Sequence, residues 1–206
     1  LIFKGDDVKP GQVVLEARRR LGAQDIGALA AMGVGTVSVC RRPVVGILST
    51  GDELVPVDTI PGPGQVRDVN SAMLSALVEE AGAEAVSLGI LKDDEDLLGR
   101  TLDEALTRCD VILISGGSSV GMKDATCRVI ESRGTVLLHG LAMKPGKPTI
   151  LGDVGGRPVF GLPGHPAAAF FVARLLVRPL LLRLTGQSLR GYTVPAVLTE
   201  AVSANH

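Results

Sequence analysis

Val111-Ile112-Leu113-Ile114-Ser115-Gly116-Gly117-Ser118-Ser119-Val120-Gly121-Met122-Lys123-Asp124 passes from a short apolar run, through small polar residues, to an acidic residue. The run is too short for a buried helix and has strand character; the residues after it turn the chain, and 125–132 then reads as an amphipathic helix. Strand, small-residue turn, helix is the unit of an α/β fold. Working outward, the same alternation recurs. Strand-like runs at 44–48 and 85–90 alternate with helical patterns at 69–80 and 95–107, and further β signals stand at 135–138, 148–151 and 158–160. A long apolar helix is predicted over 167–184, closed by Thr185-Gly186. Such alternation predicts an α/β domain with a doubly wound, mostly parallel sheet over residues 44–186.

Either side of that domain the texture differs. Residues 1–43 read as a partial N-terminal module, with a turn region at 5–11, a strand at 13–15, a helix at 23–32 and a strand at 34–40, too small to hold a core of its own. Residues 187–206 read as the start of a truncated C-terminal β domain, whose alternating stretch 192–202 has no partner strand left. The expectation is that the chain is a piece of something longer.

Composition narrows the function. The chain has 206 residues, 21 Lys+Arg against 22 Asp+Glu, a net charge of −1, and no Trp, one Tyr and four Phe. A near-neutral balance without stacking aromatics argues against nucleic-acid binding. No apolar run reaches the roughly 18 residues of a membrane span, since Arg174, Arg178, Pro179 and Arg183 interrupt the best candidate. Cys40, Cys109 and Cys127 are widely spaced, without a C-x-x-C pair, and read as reduced thiols of a cytoplasmic protein.

In an open parallel sheet, ligands bind beyond the carboxyl ends of the strands. Five predicted strand ends carry polar or glycine-rich clusters: Ser49-Thr50-Gly51-Asp52-Glu53, Lys92-Asp93-Asp94, Ser115 to Asp124, Lys144-Pro145-Gly146-Lys147-Pro148, and Gly161-Leu162-Pro163-Gly164-His165-Pro166. The Ser115 loop is neither a P-loop, since Met122 stands at the lysine position, nor a G-x-G-x-x-G dinucleotide fingerprint. It reads either as an anion cradle of backbone amides or as a tight turn with Asp124 as N-cap. Glu53, Asp93 and Asp124 are carboxylates of the kind that hold Mg²⁺, and Lys144 and Lys147 offer charges to an oxyanion. Asp52 and Asp94 read more simply as helix-start charges. His165 lacks a second ligand at metal spacing, and no serine lies in a G-x-S-x-G elbow.

The ordered set Ser49-Thr50-Gly51-Asp52-Glu53-Leu54, Asp68-x-Asn70, Asp93-Asp94, Ser115-Gly116-Gly117-x-Ser119-x-Gly121-x-x-Asp124, Lys144-Pro145-Gly146-Lys147-Pro148 and Gly161-Leu162-Pro163-Gly164 resembles the MoeA family of molybdopterin molybdenumtransferases. The gephyrin E domain and its plant counterpart are similar. The resemblance implies an enzyme of molybdenum cofactor biosynthesis that takes adenylyl-molybdopterin and molybdate, releases AMP with Mg²⁺ assistance and leaves molybdenum on the dithiolene. It implies catalytic roles for Glu53, Asp93 and Asp124, with Asp124 and Asp93 as metal ligands. Substrate binding would fall to Ser49, Thr50, Gly51, Ser115, Gly116, Gly117, Ser119, Gly121, Lys144, Lys147, Pro148, Pro163 and Gly164. It also implies a homodimer, a MogA-type adenylyltransferase as partner and molybdoenzymes as acceptors. Gly140, His165 and Ala168 stand where the family commonly has Lys, Asn and Ser. Two other readings remain at this stage: a gephyrin-like binding scaffold without turnover, and a MogA-type adenylyltransferase.

Overall fold

The computed structural model describes residues 3, 5–116, 120–187, 194–197 and 199–201. After a first helix α1 (Ala23–Ala31) the chain enters β1 (Val44–Thr50), then a two-residue parallel ladder of β2 (Leu54–Val55) and β3 (Val66–Arg67). There follow α2 (Val69–Glu80), β4 (Glu84–Leu91), α3 (Glu95–Arg108), β5 (Val111–Gly116), α4 (Val120–Glu131), β6 (Thr135–His139), β7 (Ile150–Val154) and β8 (Arg157–Leu162). A last helical stretch runs through α5 (Pro166–Val172), a π-turn (Ala173–Val177) and α6 (Arg178–Leu184).

The main sheet has the order β4-β1-β5-β8-β7-β6. Its first four strands are mutually parallel, and β7 runs antiparallel to both neighbours. The mostly parallel doubly wound sheet expected from the sequence is therefore what forms. β1 and β5 lie mid-sheet with helices on both faces, so they read as nearly unbroken apolar runs. One face carries Leu74, Leu77 and Val78 of α2 with Val172, Val177 and Leu181 of the last helical stretch, packed on Val45, Ile47, Leu113 and Phe160. The other carries Leu98 and Leu102 of α3 and Val129 and Ile130 of α4, packed on Leu48, Ile112, Ile114 and Val159.

Local chemistry sets the helix starts. Asp68 caps α2 by accepting from the Ser71 amide at 3.1 Å, and Asp94 caps α3 by accepting from the Leu97 amide at 2.8 Å. Asp94 is thus the helix-start charge it was read to be. In the last helical stretch, Pro179 has no N–H for the carbonyl four residues back, and its ring crowds that carbonyl. The preceding turn widens: the Arg178 amide donates to the Ala173 carbonyl, five residues back. A π-turn of this kind lets the helix continue through the proline.

Several expectations need correction. Residues 13–15 and 34–40 form no strand; their alternation is genuine, but no neighbour supplies a ladder, and a strand without one is not stable. The strand expected at 148–151 is β7, starting two residues later, because Pro148 belongs to the hairpin turn. The helix expected at 125–132 begins at Val120. Asp124 is therefore the fifth residue of α4 and not its N-cap, since only residues 117–119 separate β5 from the helix; the Asp124 side chain lies outside the described residues. Of the alternating stretch 192–202, residues 194–197 and 199–201 form no strand, and the other four lie outside the described residues. No helix among the described residues is long and apolar enough to cross a membrane.

Candidate functional site

β1 pairs with β4 on one side and β5 on the other, so the chain reverses its direction of travel across the sheet at β1. That is a topological switch point, where the loops after neighbouring strands part and leave a crevice. The parallel strands end nearly flush, with Thr50 opposite both Leu91 and Gly116 and with Ser115 opposite Leu162. The β6–β7 hairpin, running antiparallel into β8, delivers residues 140–149 to the same edge, because His139 faces Ile150 and Ile150 faces Gly161. The described backbone of all five polar clusters therefore starts from or reaches one edge of the sheet.

The crevice encloses about 270 Å³ and is lined by Thr50, Glu53, Arg67, Asn70, Ser115, Gly116 and Gly164, among others. A wider cleft of about 680 Å³ adjoins it, sharing Leu54 and Asp68 as a wall and reaching Asp52, Ser71, Ser75 and Lys92. Neither Asp93 nor Lys144 or Lys147 lines either cavity. The structure thus gathers part of the expected constellation and spreads the rest along the edge. Glu53 and Asp93 follow β1 and β4, whereas the lysines sit between β6 and β7. By strand spacing these groups are separated by about 14–24 Å.

Ser49 and Thr50 are not loop residues as expected but the last two residues of β1, 1% and 2% exposed. Partners on both sides hold the strand to its end. Ser49 spends its hydroxyl on Ser71 at 2.8 Å, and the Ser71 hydroxyl in turn donates to Asp68. This chain of bonds ties the start of α2 to the sheet. Ser115 and Gly116 likewise close β5 and do not open the loop. At Gly116 the backbone has φ +141°, and a Cβ there would stand 2.1 Å from the Thr50 carbonyl oxygen. Only glycine allows β1 and β5 to approach so closely at the crevice. Gly117 and Ser119 lie outside the described residues, and Gly121 falls within α4.

The lysine loop is an exposed hairpin with Pro148 and Gly146 turned inward. Its ends are pinned by the Leu141 amide donating to the Lys147 carbonyl at 2.9 Å and by the Thr149 hydroxyl donating to the Gly146 carbonyl at 2.7 Å. Gly146 packs so tightly on α5 that a Cβ would stand 2.8 Å from Val172 Cγ2. The Lys144–Pro145 bond is cis. Both lysine side chains remain in solvent. Pro163 is buried in the turn out of β8, and His165 occupies the exposed N-cap position of α5 without a capping bond.

Burial first, then the neighbouring charges of Asp52 and Glu53, raise the Asp93 carboxyl above its ordinary pKa. Asp52 also accepts from the Asp93 amide at 3.3 Å. Among the described residues none of the three carboxylates is in an ion pair, and no group of three or more His, Cys, Asp or Glu is placed to hold a metal ion by itself. The donor chemistry nevertheless suits Mg²⁺, which takes one or two carboxylates and completes its shell with water and substrate phosphate. Sequence reasoning gave no role to Asn70 or Arg67. Asn70 stood in a motif, but nothing in its spacing showed that α2 would aim it across to β5.

A family profile described as "Probable molybdopterin binding domain" matches residues 46–183. The chain belongs to the molybdopterin-binding domain family. The chain is 39% identical over 183 residues to the molybdopterin molybdenumtransferase of Haemophilus influenzae, covering 89% of the chain and 45% of that protein. It is also 39% identical over 180 residues to the enzyme of the same name from Nostoc, covering 85% and 41%. Among solved structures it is similar to a molybdopterin biosynthesis MoeA protein from Pyrococcus horikoshii, with TM-score 0.81 and 41% identity over 88% of the chain and 45% of the other. The MoaB protein of Thermus thermophilus, at 21% identity and TM-score 0.53, shares the fold alone. The chain spans less than half the length of the curated relatives it matches.

Proposed function

We propose that this chain is the substrate-binding core of a molybdenum-inserting transferase, which takes adenylyl-molybdopterin and molybdate and releases AMP. The observation that carries the reading is the crevice at the β1/β5 switch point, with glycine-gated backbone on one side and carboxylates on the other, in a chain whose relatives bear that name. Residues 44–186 form the binding unit. Residues 1–43 belong to an N-terminal module and 187–206 open a C-terminal β domain, in a cytoplasmic homodimer. Thr50, Ser115, Gly116 and Gly164 frame the nucleotide phosphate, with Ser49, Gly51, Gly117, Ser119, Gly121 and Pro163 shaping the loops around it. Asp93 and Asp124 would hold Mg²⁺, which when bound offsets charge on the departing phosphate, and Glu53 joins them as a catalytic carboxylate. Lys144 and Lys147, held out by Pro145 and Pro148, hold molybdate as an oxyanion.

Purified chain incubated with adenylyl-molybdopterin, molybdate and Mg²⁺ is expected to release AMP, measured by chromatography, only when molybdate is present. Consumption of ATP would instead make it an adenylyltransferase, and tight binding without turnover at any molybdate concentration would make it a scaffold.

The Asp93 environment gives a second test. A carboxyl whose folded pKa lies above its unfolded value disfavours the folded state once ionised. The cost is absent below the unfolded value, near pH 4, and persists above the folded one. Asp93→Asn is therefore expected to raise Tm at pH 7, with no gain at pH 3. The shift is small, on the order of 1 °C, because the group is mostly exposed and screened. Mg²⁺ should raise the Tm of the parent more than that of Asp93→Asn in a thermal melt. Equal Mg²⁺ responses would remove Asp93 from the metal site.

A further inference from the structure

The backbone ladder between β5 and β8 stops at the Ser115–Leu162 pair. Beyond it the two strand ends part to form one flank of the crevice. A side chain takes over where the ladder stops. Asn70, second residue of α2 and 7% exposed, donates from one amide nitrogen to Ser115 Oγ at 2.7 Å and to the Gly164 carbonyl at 2.9 Å. The carbonyl can only accept, so it fixes which way the carboxamide faces. That orientation leaves Asn70 Oδ1 buried with no hydrogen-bond partner. A buried acceptor without a donor is unfavourable, so the arrangement serves the two donations and not the stability of the side chain itself. Aspartate has the same shape, but its carboxylate would face the Gly164 carbonyl with a second acceptor.

We propose that Asn70 is a positioning residue for the phosphate end of the ligand: by holding Ser115 at the end of β5 and Gly164 just after β8, it sets the spacing of the two strand ends between which a phosphate is received. This rests on the reading of the crevice as a nucleotide site. Because Asn70 ties α2 to the ends of β5 and β8 at the floor of the crevice, it acts through those strand ends and makes no demand on the adenine or ribose.

The test uses AMP and adenosine as probes, with AMP affinity by calorimetry, adenosine affinity by ligand-observed NMR, and Tm without ligand, for the parent, Asn70→Asp and Asn70→Ala. The expected result is a tenfold or greater loss of AMP affinity in both variants with adenosine affinity unchanged within twofold, measured well below Tm. Two variants keep the test open should one of them not fold. Equal loss of AMP and adenosine affinity would make Asn70 a general structural residue and overturn the proposal, as would unchanged AMP affinity. If the parent binds adenosine but gains nothing from the phosphate of AMP, the nucleotide-phosphate reading of the crevice fails, and with it the role given to Asn70. If the parent binds AMP more tightly than adenosine and both variants keep that preference undiminished, the site stands and the positioning role alone is lost.

Discussion

Gly116→Ala is expected to lower Tm by about 10 °C and to weaken AMP binding more than tenfold. The added methyl would overlap the Thr50 carbonyl at 2.1 Å, and that atom belongs to a strand held on both sides. Relief requires β1 and β5 to separate where the crevice opens. Forcing such an overlap, together with a left-handed backbone at a non-glycine residue, costs about 3 kcal/mol. In a chain of this size that amounts to roughly 3 °C per kcal/mol. Gly35→Ala is the control, because a methyl there meets open space, and it should leave Tm within about 1 °C. Thermal melts and AMP calorimetry on both variants decide the matter, and a Gly116→Ala protein with parental Tm would show that the close approach is not obligatory.

Lys147→Ala is expected to cost roughly 10–100-fold in molybdate affinity, and Lys144→Ala a similar amount. A charge-assisted hydrogen bond contributes about 1.5–3 kcal/mol, which is one to two powers of ten in affinity. Both side chains are exposed on a hairpin held by its own backbone and by Thr149, so neither substitution should move Tm. AMP affinity should stay within about threefold, since neither lysine lines the crevice. Calorimetric titration with molybdate and with AMP separates the two effects. A variant that loses AMP and keeps molybdate would reverse the assignment.

The sheet and its helices were legible because their cores impose patterns. Apolar runs at β1 and β5 and the Leu98, Leu102, Ala105 stripe of α3 follow from burial on two faces and on one. Alternation without a partner misled at 13–15 and 34–40, since sequence shows a strand's faces and not its neighbours. The ladder of β2 and β3 escaped because two residues carry no period. The edge that bears the site could be read from the polar residues after each strand, but how far strand geometry persists could not. Ser49, Thr50, Ser115 and Gly116 look like turn residues, and parallel partners, on both sides for the first three and on the β1 side for Gly116, draw them into the sheet. Asn70 was silent for a related reason: its partners are 45 and 94 residues away.

The separation of Glu53 and Asp93 from Lys144 and Lys147 along one edge makes the site an extended dipole whose reach depends on the medium. At physiological ionic strength the screening length is about 8 Å, shorter than the gap between the two ends, so the fields of the two ends do not overlap. At 0.01 M salt it is about 30 Å, longer than the gap, and an elongated anion approaching the edge is turned with its most negative end toward the lysines before it touches anything. Dilute buffer thus couples two ends of the edge that ordinary salt keeps independent.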